Sequence, residues 1–286
     1  MECKFTIPEQ GKKAIWEITN QCNYMCKYCI FSSNCKKDKN ELDTKECIHI
    51  IDELHKNGFN ILKITGGEPL LRKDIIDIIK YAKEKDMKVD ISTNASLITD
   101  TLAIEIKKTN IDMVHVSLDG HNKAIHEEAR GENTFDRTVR GIRKLVERLV
   151  YLRIGTVLFK ENENHIEDII KFVTDLEVNE IIFSIMEPCG RLDGDYSNYI
   201  TKSKDELKNE IKNLQTKYKG KIKINYNWEE NPILDICPAG KKFIFINNLG
   251  EVSRCTWIKE KGYSLRKYSL SNILSIWSGS SNVCLY

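Results

Sequence analysis

Three cysteines, Cys22, Cys26 and Cys29, fall within eight residues, separated first by three positions and then by two. Thiolate is the common side chain best suited to soft iron, and such short spacings let one loop wrap one face of an iron–sulfur cube. Three ligands are one fewer than a closed four-cysteine site needs. An iron without a protein ligand can accept a substrate or cofactor instead. On spacing alone, a zinc knuckle completed by Cys35, or a pair of disulfides, stays open beside this reading.

Ten cysteines occur in a chain of 286 residues with 41% hydrophobic content, 30% charged residues and a net charge of +2. This length suits one large α/β domain, alone or with a small appendage. The near-neutral balance gives no reason to invoke nucleic acid or an anionic membrane. Neither an apolar run near the roughly 18–20 residues of a membrane span nor a signal-peptide core is present. A cytoplasmic protein is therefore expected, and reduced thiols rather than a disulfide framework. The cysteines form an early group (Cys3, Cys22, Cys26, Cys29, Cys35, Cys47) and a late one (Cys189, Cys237, Cys255, Cys284). Two metal sites are the expectation, with Cys35 a loop thiol and Cys47 a helix-core thiol.

Positioning the first group requires a scaffold. Apolar runs at Ala14–Thr19, Ile61–Thr65, Lys88–Ser92, Met113–Ser117, Leu152–Val157 and Glu180–Ser184 read as strands. Helices are expected over 44–57, 73–86 and 99–108. Two further helical stripes run through Ile142, Leu145, Val146 and Leu149, and through Ile166, Ile169, Ile170, Val173 and Leu176. Six strand–helix alternations imply an α/β fold with parallel strands and right-handed crossovers, its ligand at the strands' carboxyl ends. Polar or glycine-rich residues gather at the strand ends as this rule requires: the cysteine loop, Gly66-Gly67-Glu68-Pro69, Ser92-Thr93-Asn94, Ser117-Leu118-Asp119-Gly120 and Glu187-Pro188-Cys189-Gly190-Arg191, while strand five itself carries Arg153 and Gly155-Thr156.

After a polar linker, Ser203-Lys204-Asp205-Glu206 forms a capping box that opens a helix. Short strands follow at Ile222–Tyr226, Phe243–Ile246 and Glu251–Ser253, the last two joined by a hairpin turn at Asn247–Gly250. Cys237 and Cys255 bracket that hairpin, and Cys284 is a third candidate ligand.

The cysteine motif after the first strand and Gly66–Pro69 after the second resemble the radical S-adenosylmethionine (radical SAM) enzymes. The later strand ends and Arg130-Gly131 are similar as well. The tail, from Cys237-Pro238-Ala239-Gly240 through Cys255 to Ser271–Trp277, resembles the SPASM/twitch extensions of some members. The resemblance implies a partial (β/α)6 TIM-like barrel over residues 1–190 and a small α+β twitch/SPASM-like domain over 191–286. It implies a [4Fe–4S] cluster on Cys22, Cys26 and Cys29 whose free iron takes SAM. Reductive cleavage would then give a 5′-deoxyadenosyl radical that abstracts a substrate hydrogen. An auxiliary [4Fe–4S] cluster is implied on Cys237, Cys255 and Cys284. Tyr28, Gly66, Gly67, Glu68, Pro69, Asn94, Ser117, Arg130 and Arg153 become SAM-site candidates. Cys189 becomes a hydrogen-atom donor or an auxiliary ligand.

The implied partners are a peptide or small-molecule substrate and a reductant such as flavodoxin or ferredoxin. Peptide or protein modification (cross-link, epimerisation or dehydrogenation) is the first expectation, and oxidation or rearrangement of a metabolite the second. About 13 residues precede the first strand, so a fused leader-peptide recognition domain is not expected. A non-enzymatic zinc or electron-carrier protein is the remote alternative, since neither needs the Gly66–Pro69 loop.

Overall fold

The computed structural model describes residues 11–187, 189–192, 199–228, 238–256 and 262–278. The ligand candidates Cys237 and Cys284, and Cys3, lie outside these residues. Six strands, β1 (Lys12–Glu17), β2 (Phe59–Thr65), β3 (Lys88–Thr93), β4 (Met113–Ser117), β5 (Leu152–Leu158) and β6 (Glu180–Ile185), run parallel and neighbour one another in chain order. Their registers place Ile15 beside Lys63, Lys63 beside Asp90, His115 beside Arg153, and Arg153 beside Glu180.

Alternation decides what each face does. Leu62, Ile64, Val114, Val116, Ile154, Ile181 and Phe183 are wholly buried and join the helices' apolar faces in one core. Intervening residues such as Lys63, His115 and Arg153 face the other way and line a cavity. Lys13 on β1 and Arg153 on β5 would stand about 19 Å apart in a flat sheet, yet they line the same cavity of about 280 Å3. The sheet is therefore curled into a partial barrel with a polar interior.

Helices α1 (Thr44–Lys56), α2 (Ile75–Glu84), α3 (Asp100–Lys108), α4 (Lys123–Arg130), α5 (Phe135–Glu147) and α6 (Ile166–Asp175) form the crossovers, and α7 (Lys204–Lys217) opens the tail. Asp43 with Glu46 and Ser203 with Glu206 form capping boxes, the second as expected. Leu149 departs from its expected place on a helical stripe. It lies beyond the C-cap of α5 at φ +54° and is 82% exposed.

The tail does not build a sheet of its own among the described residues. β7 (Lys223–Tyr226) pairs with β6, while β8 (Phe243–Ile246) pairs in parallel with β1 on the opposite flank. The expected hairpin joins β8 to β9 (Glu251–Ser253), and β10 (Tyr263–Ser264) closes that edge ahead of α8 (Leu270–Ser278). The chain thus crosses from one flank of the barrel to the other.

Candidate active site

The cysteine loop leaves β1 and is tied down before its first thiol. Glu41 accepts from the Thr19 hydroxyl and the Asn20 N–H, each at 2.8 Å. The tail hairpin reaches the same carboxylate through Asn248 Nδ2 at 3.4 Å, and Asn248 O accepts the Leu42 N–H. The Cys22 N–H donates to Asn34 O at 2.7 Å, closing the loop's base, and the Tyr24 N–H points at Cys22 Sγ at 3.4 Å. The loop is therefore held both by its own flank and by the tail hairpin.

Gly66 and Gly67 press against this loop. A Cβ on Gly67 would stand 2.1 Å from Gln21 O, and one on Gly66, at φ +148°, 2.4 Å from Thr19 O. Their N-terminal neighbour strand is thereby locked in place, with Gly67 N–H bonded to Thr19 O and Glu68 N–H to Gln21 O. Only glycine lets two backbones approach this closely. Glu68 is wholly buried and accepts from the Thr93 hydroxyl (2.7 Å), the Asn94 N–H (2.7 Å) and the Leu70 N–H (3.0 Å). Burial pushes its carboxyl up to about 7, opposed by these three donors. With its lone pairs so occupied, Glu68 binds the end of β2 to the end of β3. Pro69 is buried and opens the 3-10 turn Pro69–Leu71 that follows.

A second anchor is Asp119, wholly buried after β4. It accepts from Arg130 Nε, the Tyr28 hydroxyl and the Val157 N–H. Arg130 Nη1 lies 3.9 Å from Cys26 Sγ, and its guanidinium sits 5.5 Å from the Tyr28 ring centre. Burial raises the Cys26 thiol while the Arg130 charge pulls it down, and burial takes Cys22 up to about 12. Binding iron as thiolates must therefore displace protons from these sulfurs.

A cavity of about 240 Å3 gathers the sequence-derived residues. Cys22, Cys26, Cys29, Tyr28, Gly66, Gly67, Asn94, Ser117 and Arg130 all line it. Asn94 is held by Asn23, to which its Nδ2 donates at 2.9 Å. Arg153 is the exception and its expected place is corrected: it pairs with Glu180 at 3.0 Å and lines the barrel interior instead. Its position near the start of β5 puts it at the wrong end of the strand. Glu68 and Pro69 support this cavity from behind. Cys189 precedes Gly190, where a Cβ would meet Cys29 O at 2.3 Å, and Arg191 N–H donates to Cys29 O at 2.9 Å. The segment that follows β6 is thus packed directly on the cysteine loop.

The thiol spacing tests the metal. A single zinc with bonds of about 2.3 Å holds its sulfurs about 4 Å apart. Among the described residues, the three-ligand group gathered within 4.8 Å is His121, His165 and Asp168, apart from this cavity; the three cysteines are spread more widely. A cubane, with an iron for each thiolate, needs that wider spread. Cys35 is exposed and Cys47 is buried in α1, in keeping with the thiol roles expected of them.

Residues 16–173 match the family model of the radical SAM superfamily. The chain belongs to that superfamily. A [4Fe–4S] cluster and SAM are its cofactors, and the protein is a radical SAM enzyme. The chain is 31% identical over 177 residues to an AdoMet-dependent heme synthase of Oleidesulfovibrio alaskensis, covering 62% of this chain and 46% of that one. It is 34% identical over 154 residues to the mycofactocin maturase MftC of Mycolicibacterium smegmatis, covering 54% and 39%. These matches span less than half of each relative. The Streptococcus suis SuiB structure bound to precursor peptide SuiA superposes with a TM-score of 0.77 at 17% identity, over 95% of this chain and 65% of that one. That likeness concerns the fold.

Sequence reasoning missed Asp119 as a hub and Asn23 as the partner of Asn94. It also missed Lys13, Lys63 and His115 in the barrel interior. A polar residue between apolar neighbours in a strand was the available signal for Lys63 and His115, whereas Lys13 follows Lys12 and carries no such signal.

Proposed function

We propose that Cys22, Cys26 and Cys29 hold the [4Fe–4S] cluster, and that SAM occupies the cavity beside it. The observation that carries this reading is that one cavity brings together the three thiols, the Gly66–Gly67 backbone and Arg130. When bound, the cluster supplies the electron that cleaves SAM to a hydrogen-abstracting radical. In this reading the Gly66 and Gly67 backbone meets the amino end of SAM, and Asn94 and Ser117 face its ribose or carboxylate. Arg130, already tied to Asp119, places a positive charge beside Cys26 and the bound carboxylate, while Tyr28 forms a wall for the adenine. A reductant such as flavodoxin or ferredoxin delivers the electron.

The substrate in this reading is a peptide or protein, and residues 191–286 carry an auxiliary cluster on Cys255 together with Cys237 and Cys284. Similarity to a maturase supports the peptide, and the hairpin that Cys237 and Cys255 bracket in sequence supports the shared metal. Cys189, beside the cysteine loop, is proposed as an auxiliary ligand or hydrogen-atom donor. The similarity to a heme synthase keeps a metabolite as the second reading.

Anaerobic reconstitution tests the cluster count: two cubanes give about eight irons per chain. Cys255→Ala should lose about half of that iron and keep the first cluster. A count near four in the unaltered protein contradicts the auxiliary cluster. For the substrate, a short peptide encoded beside this chain should gain a mass change on co-expression, and lose it when Cys26→Ala is co-expressed instead.

A further inference from the structure

The barrel interior holds a second chamber of about 280 Å3, which shares Tyr28, Ile30 and Val157 with the cysteine-lined cavity. Its walls carry Lys13 from β1, Lys63 from β2, His115 from β4 and Arg153 from β5. Barrel interiors are ordinarily filled by branched aliphatic side chains. Lysines in mid-barrel are costly unless something pairs them.

Nothing among the described residues does so: neither Lys13 nor Lys63 makes an ion pair or hydrogen bond through Nζ. Arg153 donates from Nη2 to Glu180, but its Nε is buried without a partner, as is His115 Nδ1. Such orphaned buried groups call for a polar occupant. Gly155 belongs to the same arrangement, since a Cβ there would stand 2.1 Å from His115 Nε2. The glycine leaves room for the imidazole.

One acid, Glu187, lines the chamber and is outnumbered by Lys13, Lys63 and Arg153, so the chamber is positive on balance. Glu180 is engaged by Arg153, Tyr151 and Asn225. Asp90 faces Lys13 and Lys63, but burial raises its carboxyl toward the neutral form. Lys63 is pushed down to about 8, first by burial and then by the charge of Lys13, so an arriving anion relieves both cations.

We infer that this chamber seats a carboxylate of the substrate, held by Lys63 and Lys13 with Arg153 and His115 behind them, so that the attached carbon chain reaches the cysteine-lined cavity. The inference rests on the proposed function, which makes the neighbouring cavity the seat of SAM. The same carboxylate chemistry is offered by an acidic side chain of a peptide and by a small free acid.

Isothermal titration of the reconstituted protein distinguishes them. The probes are glutarate, acetyl-Ala-Glu-Ala-amide, its glutamine counterpart and inorganic phosphate. Both carboxylate probes should bind, and the glutamine peptide at least about tenfold more weakly. Whichever carboxylate binds more tightly names the source. Lys63→Gln should weaken the carboxylates about tenfold with iron content unchanged and thermal unfolding no lower, and Lys63→Arg should restore them. Lys13→Gln provides the same readout if Lys63→Gln fails to fold. Equal binding of the glutamine peptide, phosphate binding in place of the carboxylates, or full affinity in the lysine-to-glutamine variants overturns the inference. Carboxylate binding in a protein that forms no 5′-deoxyadenosine would overturn the proposed function and leave the chamber's anion site standing.

Discussion

Arg130 Nε donates to the wholly buried carboxylate of Asp119 while Arg130 Nη1 lies 3.9 Å from Cys26 Sγ. One guanidinium thus joins the loop after β4 to the middle thiol of the cysteine loop. The Tyr28 hydroxyl donates to the same carboxylate, so the pair also fixes the residue between the second and third thiols.

Removing that cation should be costly. Arg130→Ala leaves Asp119 buried and without its ionic partner, a loss of about 3–5 kcal/mol. Chemical denaturation of the apoprotein reads this directly. Arg130→Lys should recover part of the stability but not SAM affinity, because an ammonium cannot span Asp119 and a second acceptor as a guanidinium fork does.

Gly190→Ala tests the contact between the segment after β6 and the cysteine loop. A Cβ at φ +65°, 2.3 Å from Cys29 O and 2.4 Å from Ile30 O, forces backbone apart rather than a flexible side chain. Iron retained after gel filtration should fall, and the cluster's visible absorbance with it. Unchanged iron would show that the loop tolerates the displacement.

Glu68→Gln probes the junction of β2 and β3. The amide keeps one acceptor oxygen but turns an N–H₂ toward the Asn94 N–H or the Thr93 hydroxyl. A buried donor left facing a donor costs about 1–3 kcal/mol. SAM affinity, measured by equilibrium dialysis, should weaken along with stability because Asn94 lines the cavity.

Glu17 gives a pH signature. It is buried at the end of β1, and burial raises its carboxyl to about 8 despite Asn20. The folded state therefore holds this proton where the unfolded chain has released it. Its contribution favours folding at low pH and is lost as pH rises between roughly 4.5 and 8. Glu17→Gln should equal the unaltered protein in stability at about pH 3.5. By pH 8 it should exceed it by up to on the order of 4 kcal/mol. A pH-independent difference would contradict the buried-acid account.

Much of the scaffold was legible because its signals are local. Met113–Ser117 is a short apolar run whose ends fall where expected, and Ser203 with Glu206 announces α7 three residues apart. The short polar α4 was not predicted, because its buried face consists of His126, Ala129 and Arg130 rather than aliphatic residues. Strand pairing between β1 and β8, over 200 residues apart, has no local signature. The site divided in the same way. The cysteines and glycines are recognisable by spacing. Arg153 stands second in its strand, at the amino end, so the rule that puts the ligand at the carboxyl ends already argued against its place beside the cofactor. Lys13 and Lys63, on neighbouring strands, became meaningful only when the sheet's curl brought Arg153 into the same chamber.

The most direct test of the central claim is quantification of 5′-deoxyadenosine formed by the anaerobically reconstituted protein with SAM and dithionite. The unaltered chain should form it together with methionine, and Cys26→Ala should form none. Zinc in place of iron with no 5′-deoxyadenosine, or equal yields from both proteins, would contradict the assignment of Cys22, Cys26 and Cys29 to an open iron–sulfur cluster that cleaves SAM.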